Sequence, residues 1–194
     1  MDEFLIDLVG MAPTPDLSER STFLRNLAFV YQLIVASEDL LREAESKSTA
    51  SLQAYFSEHL REEAHHAEWL ADDLASADID VRALPISPEA VAMAGSQYYL
   101  IRYVDPAALL GYMVVLECFP TPIERVDALE RLHGKRLCRT LRYHAVHDKS
   151  HGAELRMQID RLSDWQRELV KQNAVQTMLY LRAAAAKFNG GSHA

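Results

Sequence analysis

The side chains of this chain that could do chemistry fall in four short stretches. His144, Asp148 and His151 make a His-x-x-x-Asp-x-x-His run. At about 100° per helical residue, Asp148 lies about +40° and His151 about −20° from His144, so the three share one direction. Leu137, Leu141, Leu155, Ile159 and Leu162 point the same way, which is unusual company for an Asp, a residue almost never buried unpaired. His147 falls at the margin of this stripe. A second stretch holds Glu58, His59, Glu62, Glu63, His65 and His66. On a helical projection Glu63 points with Leu52, Phe56 and Leu70, His59 and His66 flank it on the core side, and Glu62 and His65 turn to the polar flank. The favoured Glu-x-x-His pair is Glu63 with His66, and Glu62 with His65 is the alternative. Glu38 continues the line of Leu27, Tyr31 and Ile34. Glu117 is embedded in Tyr112-Met-Val-Val-Leu-Glu-Cys-Phe119, which has no polar side.

Carboxylates and imidazoles aimed into one interior are intolerable as free groups, because each unpaired buried charge costs several kcal/mol. Two divalent cations match the four negative charges of Glu38, Glu63, Glu117 and Asp148, and neutral His66, His144 and His151 complete the shells. A carboxylate and imidazole set without thiolate suits iron or manganese better than structural zinc. Paired-metal sites in helix bundles are built from such inward-facing groups. Glu117 and Asp148 are the two expected to act in catalysis as well as in metal binding.

The elements that must position these residues read as helices. Apolar residues recur at three- and four-residue steps from about 18 to 46, and after a polar break at 47–51 a second amphipathic helix runs to about Ser76, antiparallel to the first. The stretch 77–88 is the longest loop, closed by Ser87 as N-cap and Pro88 at the first helical position. A third helix reaches about Val104. Asp105 and Pro106 open a fourth, through Phe119, whose all-round apolar character places it at the centre of the bundle. Pro120 and Pro122 end it, a fifth spans about Ile123 to His133, Gly134 breaks the chain, and helices of about 136–161 and 163–187 follow. Met11 to Pro15 is a Pro-punctuated lead-in. Residues 1–189 are expected to form a single domain, with 190–194 a frayed tail or expression remnant whose His193 is left out of site reasoning.

Composition sets the outer bounds. With 194 residues, 49% hydrophobic and 25% charged, the chain can bury one core and is not disordered in the main. Seven Gly and seven Pro are too few for the turns of an all-β domain. A formal charge of −8 argues against nucleic acid or an anionic membrane surface as partner. Cys118 and Cys138 form no Cys-x-x-Cys pair, in keeping with a reducing cytoplasm. The first ten residues lack the pattern of a signal peptide, and no run approaches the ~18 apolar residues of a membrane span. A cytoplasmic location is expected.

Four blocks carry a family resemblance: Leu60-Arg-Glu-Glu-Ala-His-His-Ala-Glu-Trp-Leu-Ala-Asp-Asp-Leu74, Gly95-Ser-Gln-Tyr-Tyr99, Pro106-Ala-Ala-Leu-Leu-Gly-Tyr-Met-Val-Val-Leu-Glu117, and His144-x-x-x-Asp148-x-x-His151. In order and spacing, over roughly Tyr31 to Leu162, they resemble the iron-containing redox enzyme family of haem-oxygenase-like di-iron oxidases and oxygenases. Carried over position by position, the resemblance implies metal ligands at Glu38, Glu63, His66, Glu117, His144, Asp148 and His151, the set the helical phases also select. Two departures are His65, where Gly is expected, and Cys118, where Gly is common. The resemblance implies an all-α, seven-helix haem-oxygenase-like bundle holding two Fe(II) ions, with O2 as co-substrate. It further implies a bridged peroxo species acting on a small amino-acid-like or fatty-acid-like molecule. An external electron donor and a homodimer are compatible with it. Arg102 and Arg142 are candidate clamps for a substrate carboxylate, with an ordinary salt bridge the favoured reading of both. The alternatives from other classes are an iron-buffering helical protein without organic turnover and a metal-free thiaminase-like hydrolase using Cys118. A haem oxygenase is disfavoured because no His precedes His59.

Overall fold

Nine α-helices and two 3-10 turns make up the described residues. The computed structural model describes residues 2–12 and 15–189, with the side chains at 2, 3, 6, 9, 50, 148–150 and 189 outside the description. In chain order the helices are α1 (Asp2–Met11), α2 (Arg20–Lys47), α3 (Ala50–Glu63), α4 (His66–Ala75), α5 (Pro88–Tyr103), α6 (Leu109–Glu117), α7 (Ile123–His133), α8 (Arg139–Asp160) and α9 (Asp164–Asn189).

The helix starts follow the capping chemistry of the sequence. The Ser87 hydroxyl accepts from the Ala90 amide ahead of α5, with Pro88 at its first position. The Asp105 carboxylate accepts from the Ala107 amide at 2.8 Å and opens the 3-10 turn Pro106–Ala108 that leads into α6. Each cap occupies a donor that a helix end otherwise leaves open. Helix α8 is capped from another element: Asp73 of α4, buried to 1% exposure, accepts the Thr140 amide at 2.7 Å. Gly134, at φ 96, ends α7.

Helix α6 is the centre. Leu109 through Val115 are all buried, and α2, α5, α8 and α9 pack around the helix. Its approach to α9 is close at Gly111, where a Cβ would overlap the Val170 carbonyl oxygen and stand 2.8 Å from the Ala174 amide nitrogen. Beside this contact, buried Gln97 and Asn173 exchange side-chain hydrogen bonds of 3.1 and 2.7 Å, and Asn173 also donates to the Ala108 carbonyl. These bonds tie α5, α6 and α9 together without leaving a buried amide unsatisfied.

The all-helical bundle accords with the sequence, and two features of it differ. Asp2–Met11 is an additional helix that buries Leu5 and Leu8 and packs on α9, so the lead-in starts only after Met11; Pro13 and Thr14 lie outside the described residues. The expected second helix is two helices, α3 and α4, because His65 takes a left-handed backbone with φ 72. Residues 190–194 lie outside the described residues. No described helix is long and apolar enough to cross a membrane.

Candidate metal centre

Helices α3 and α8 each send two side chains into the interior, one turn apart on α3 (His59, Glu63) and two turns apart on α8 (His144, His151). Together with one residue from α6 and one from α4 they make two triads. In the first, His59, Glu117 and His151 place one ligand atom each within 4.8 Å of the others. His59 Nε2 is 3.1 Å from Glu117 Oε1, and His151 Nδ1 is 3.9 Å from Glu117 Oε2. In the second, Glu63, His66 and His144 meet within the same limit, with His66 Nδ1 2.9 Å from Glu63 Oε2.

Both triads are deep. His59 and His66 are 4% and 1% exposed, and Glu63, Glu117 and His151 are 12–13% exposed. Glu117 Oε2, His151 Nδ1 and His66 Nε2 are buried with no hydrogen-bond partner among the described residues. Such orphans cost about 1–3 kcal/mol each, and a cation between them removes that cost. The donor set, imidazole and carboxylate with no thiolate, fits iron or manganese. In the absence of a cation the charges titrate unusually. Burial drives the Glu117 carboxyl up against the opposing pull of His59. His59 is depressed by burial but more strongly raised by its bond to Glu117 and the nearby carboxylates, ending at about 8. Burial also raises Glu63, yet the hydrogen bond with His66 and the surrounding imidazoles bring it net below the usual carboxylate range.

Of the seven residues expected to bind metal, Glu63, His66, Glu117, His144 and His151 are brought into these triads. Glu38 is not. It is 27% exposed, with Oε2 3.3 Å from Arg42 and Oε1 accepting the His65 amide at 3.4 Å, so it faces the backbone break between α3 and α4. Asp148 lies on α8, four residues after His144 and three before His151, but its side chain is outside the described residues. His59, which is not among the seven expected ligands, is the third member of the Glu117 triad; its projection on the core side of Glu63 is the signal in the sequence that points to it. Glu62, in the alternative pair, stands 3.7 Å from His59 and 3.6 Å from His151 at 39% exposure, whereas His65 is 68% exposed and faces Glu68. The two do not act as a pair.

A cavity of about 340 Å³ receives residues of both triads, His59 and Glu117 from one and Glu63 and His144 from the other. The rest of its wall is mainly aliphatic, including Val30, Leu33, Ile34 and Leu41 of α2, and no described Lys or Arg lines it. The two arginines considered as clamps are held elsewhere: Arg102 by Glu43 at 2.9 and 3.2 Å, and Arg142 by Asp127 and Glu130 at 2.5 and 2.6 Å. Cys118 does not line the cavity. It sits against Gly152, and burial pushes its thiol up to about 11, away from the thiolate a nucleophile needs.

No family model matches the sequence, and no curated protein matches it. Among solved structures, the chain is similar to a domain of unknown function with a haem oxygenase-like fold from Shewanella denitrificans. The TM-score is 0.76 at 13% identity, covering 95% of this chain and 82% of that one. It is also similar to a TenA homologue from Pseudomonas syringae pv. tomato, with TM-score 0.69 at 12% identity over 88% of this chain and 79% of that one. At such identities the likeness is one of fold, and a fold hosts many chemistries. The chain has the haem-oxygenase-like helical fold.

Proposed function

We propose that this protein is a non-haem di-iron oxidase or oxygenase that turns O2 on a small, mainly apolar organic molecule. The observation that carries this reading is the pair of buried His/carboxylate triads, each of which contributes two residues to the wall of one mainly apolar cavity. His59, Glu117 and His151 would hold one ion and Glu63, His66 and His144 the other, with Asp148 completing the set from its place on α8. Two ferrous ions, when bound, supply electrons and open coordination positions for O2.

The protein's own share is positioning and exclusion of water. Helix α6 fixes Glu117 from the bundle centre, and the imidazoles come from α3 (His59), α4 (His66) and α8 (His144 and His151). The aliphatic wall from α2 takes the substrate's hydrocarbon and keeps bulk water from the reacting atoms. Because the described wall offers no Lys or Arg, and its imidazoles would be neutral once they hold metal, a substrate carboxylate would find its counter-charge at the metals. That favours a fatty-acid-like molecule over a zwitterionic amino acid.

The thiaminase-like reading is compatible with the fold, but Cys118 does not line the cavity, and that reading leaves both triads without a role. The test is anaerobic loading with Fe(II) followed by metal analysis and O2. Two irons per chain are expected, with content falling together with turnover in Glu117→Ala and His144→Ala. Consumption of O2 should accelerate with a medium-chain fatty acid or analogue. Full iron occupancy in both variants would overturn the assignment. Iron uptake with no substrate response across an apolar panel would favour iron buffering instead.

A further inference from the structure

His66 does not meet only its triad. Three residues on, on the same face of α4, the Trp69 indole lies with its centroid 4.6 Å from the His66 ring. The Tyr143 ring of α8 closes on both, 5.2 Å from His66 and 5.0 Å from Trp69. Tyr143 is 37% exposed and packs on its outer side against His147, one turn along α8, at 4.1 Å. An unbroken run of ring contacts therefore leads from a wholly buried triad imidazole to the protein surface through the two side-chain types that most readily lose an electron. Neither Trp69 nor Tyr143 lines the cavity, so substrate contact does not account for them.

We infer that Trp69 and Tyr143 form an electron relay that drains an oxidising equivalent from the metal centre to solvent when no substrate is there to receive it. The inference rests on the di-iron reading above. In the relay, the over-oxidised site takes one electron from the Trp69 indole. The indole is restored by one electron from Tyr143, whose phenol gives its proton to water. A small thiol in solution then returns a hydrogen atom to the phenoxyl oxygen and leaves as a thiyl radical, so the net change is one electron and one proton from thiol, the electron going to the site and the proton to water.

The indole-to-phenol step needs no metal, which allows it to be tested separately. The chain has two tryptophans, so Trp165→Phe leaves Trp69 as the sole indole. Azide radicals generated by pulse radiolysis oxidise that indole in the metal-free protein. The indolyl radical band should then decay by a first-order process independent of protein concentration while a phenoxyl band rises in step. Tyr143→Phe in the same background should abolish that rise. Decay that depends on protein concentration, or a rise unchanged in Tyr143→Phe, would overturn the relay. In the second arm, iron-loaded protein is exposed to O2 without substrate and frozen for electron paramagnetic resonance. A tyrosyl radical should form in the wild type and be lost in Trp69→Phe, a variant that keeps an aromatic ring on His66, at unchanged iron content. Equal radical yield in that variant would also overturn it. Failure of the wild type to take up iron would remove the relay's source and sink the di-iron reading with it, whereas failure of the metal-free arm alone sinks only the relay.

Discussion

His65 is the residue at which local conformation and site geometry conflict. A non-glycine residue in the left-handed region costs roughly 1–2 kcal/mol, and the His65 side chain recovers little, being exposed and facing only the exposed Glu68. Replacing it by Gly, which adopts positive φ without a Cβ penalty, relieves the strain. His65→Gly is expected to raise the unfolding free energy of the metal-free protein by about 1 kcal/mol, read as a higher urea midpoint at unchanged slope. A lower midpoint would mean that the imidazole contributes something its surroundings do not show. The same residue explains why the site was only partly legible. Phases computed along an unbroken helix identified Glu63 and His66, which do meet across the joint, but gave no reason to separate their triad from the one His59 joins. Glu38 was misplaced for a different reason. Helix α2 packs on α3, α4, α5, α6 and α9, so apolar residues ring much of its circumference and the stripe through Tyr31 and Ile34 is not its deepest line. Leu33, Leu40 and Ala44 are deeper and point about 120° or more away from Glu38, which stays on the shallower line of Tyr31 and Ile34.

At the scale of elements, caps and breakers were the most legible feature. Ser87, Asp105, Pro120 and Gly134 mark boundaries that local chemistry dictates, and the all-round apolar run before Glu117 announced a central helix. The break in the second helix was silent because neither Ala64 nor His65 is a residue that normally signals one, and α1 was silent because a short acidic segment gains its helical stability from packing on α9. Nor could sequence alone reveal why position 111 holds Gly, since the reason lies on another helix. Gly111→Ala gains about 1 kcal/mol in helix propensity but forces a methyl group onto the backbone of α9, an overpacking that costs about 1–3 kcal/mol where neighbours can give way. Backbone gives way poorly. The expected outcome is net destabilisation, visible as a lower midpoint in chemical denaturation, and a midpoint equal to or above wild type would show that α6 and α9 can separate cheaply.

At the scale of the whole molecule, the triads are not equivalent. His59, Glu117 and His151 are delivered by α3, α6 and α8. The second triad depends on His66, the first residue of α4, and so on whatever orientation the left-handed joint gives that helix. One triad therefore involves no residue beyond the left-handed joint, and the other is completed across it. On the di-iron reading, ions should accordingly be taken up in order, the first tightly by the triad containing Glu117 and the second more weakly, so that an anaerobic Fe(II) titration shows two inflections instead of one. His66→Ala should erase the later inflection and spare the earlier; loss of both together would mean that the pair assembles as an indivisible unit.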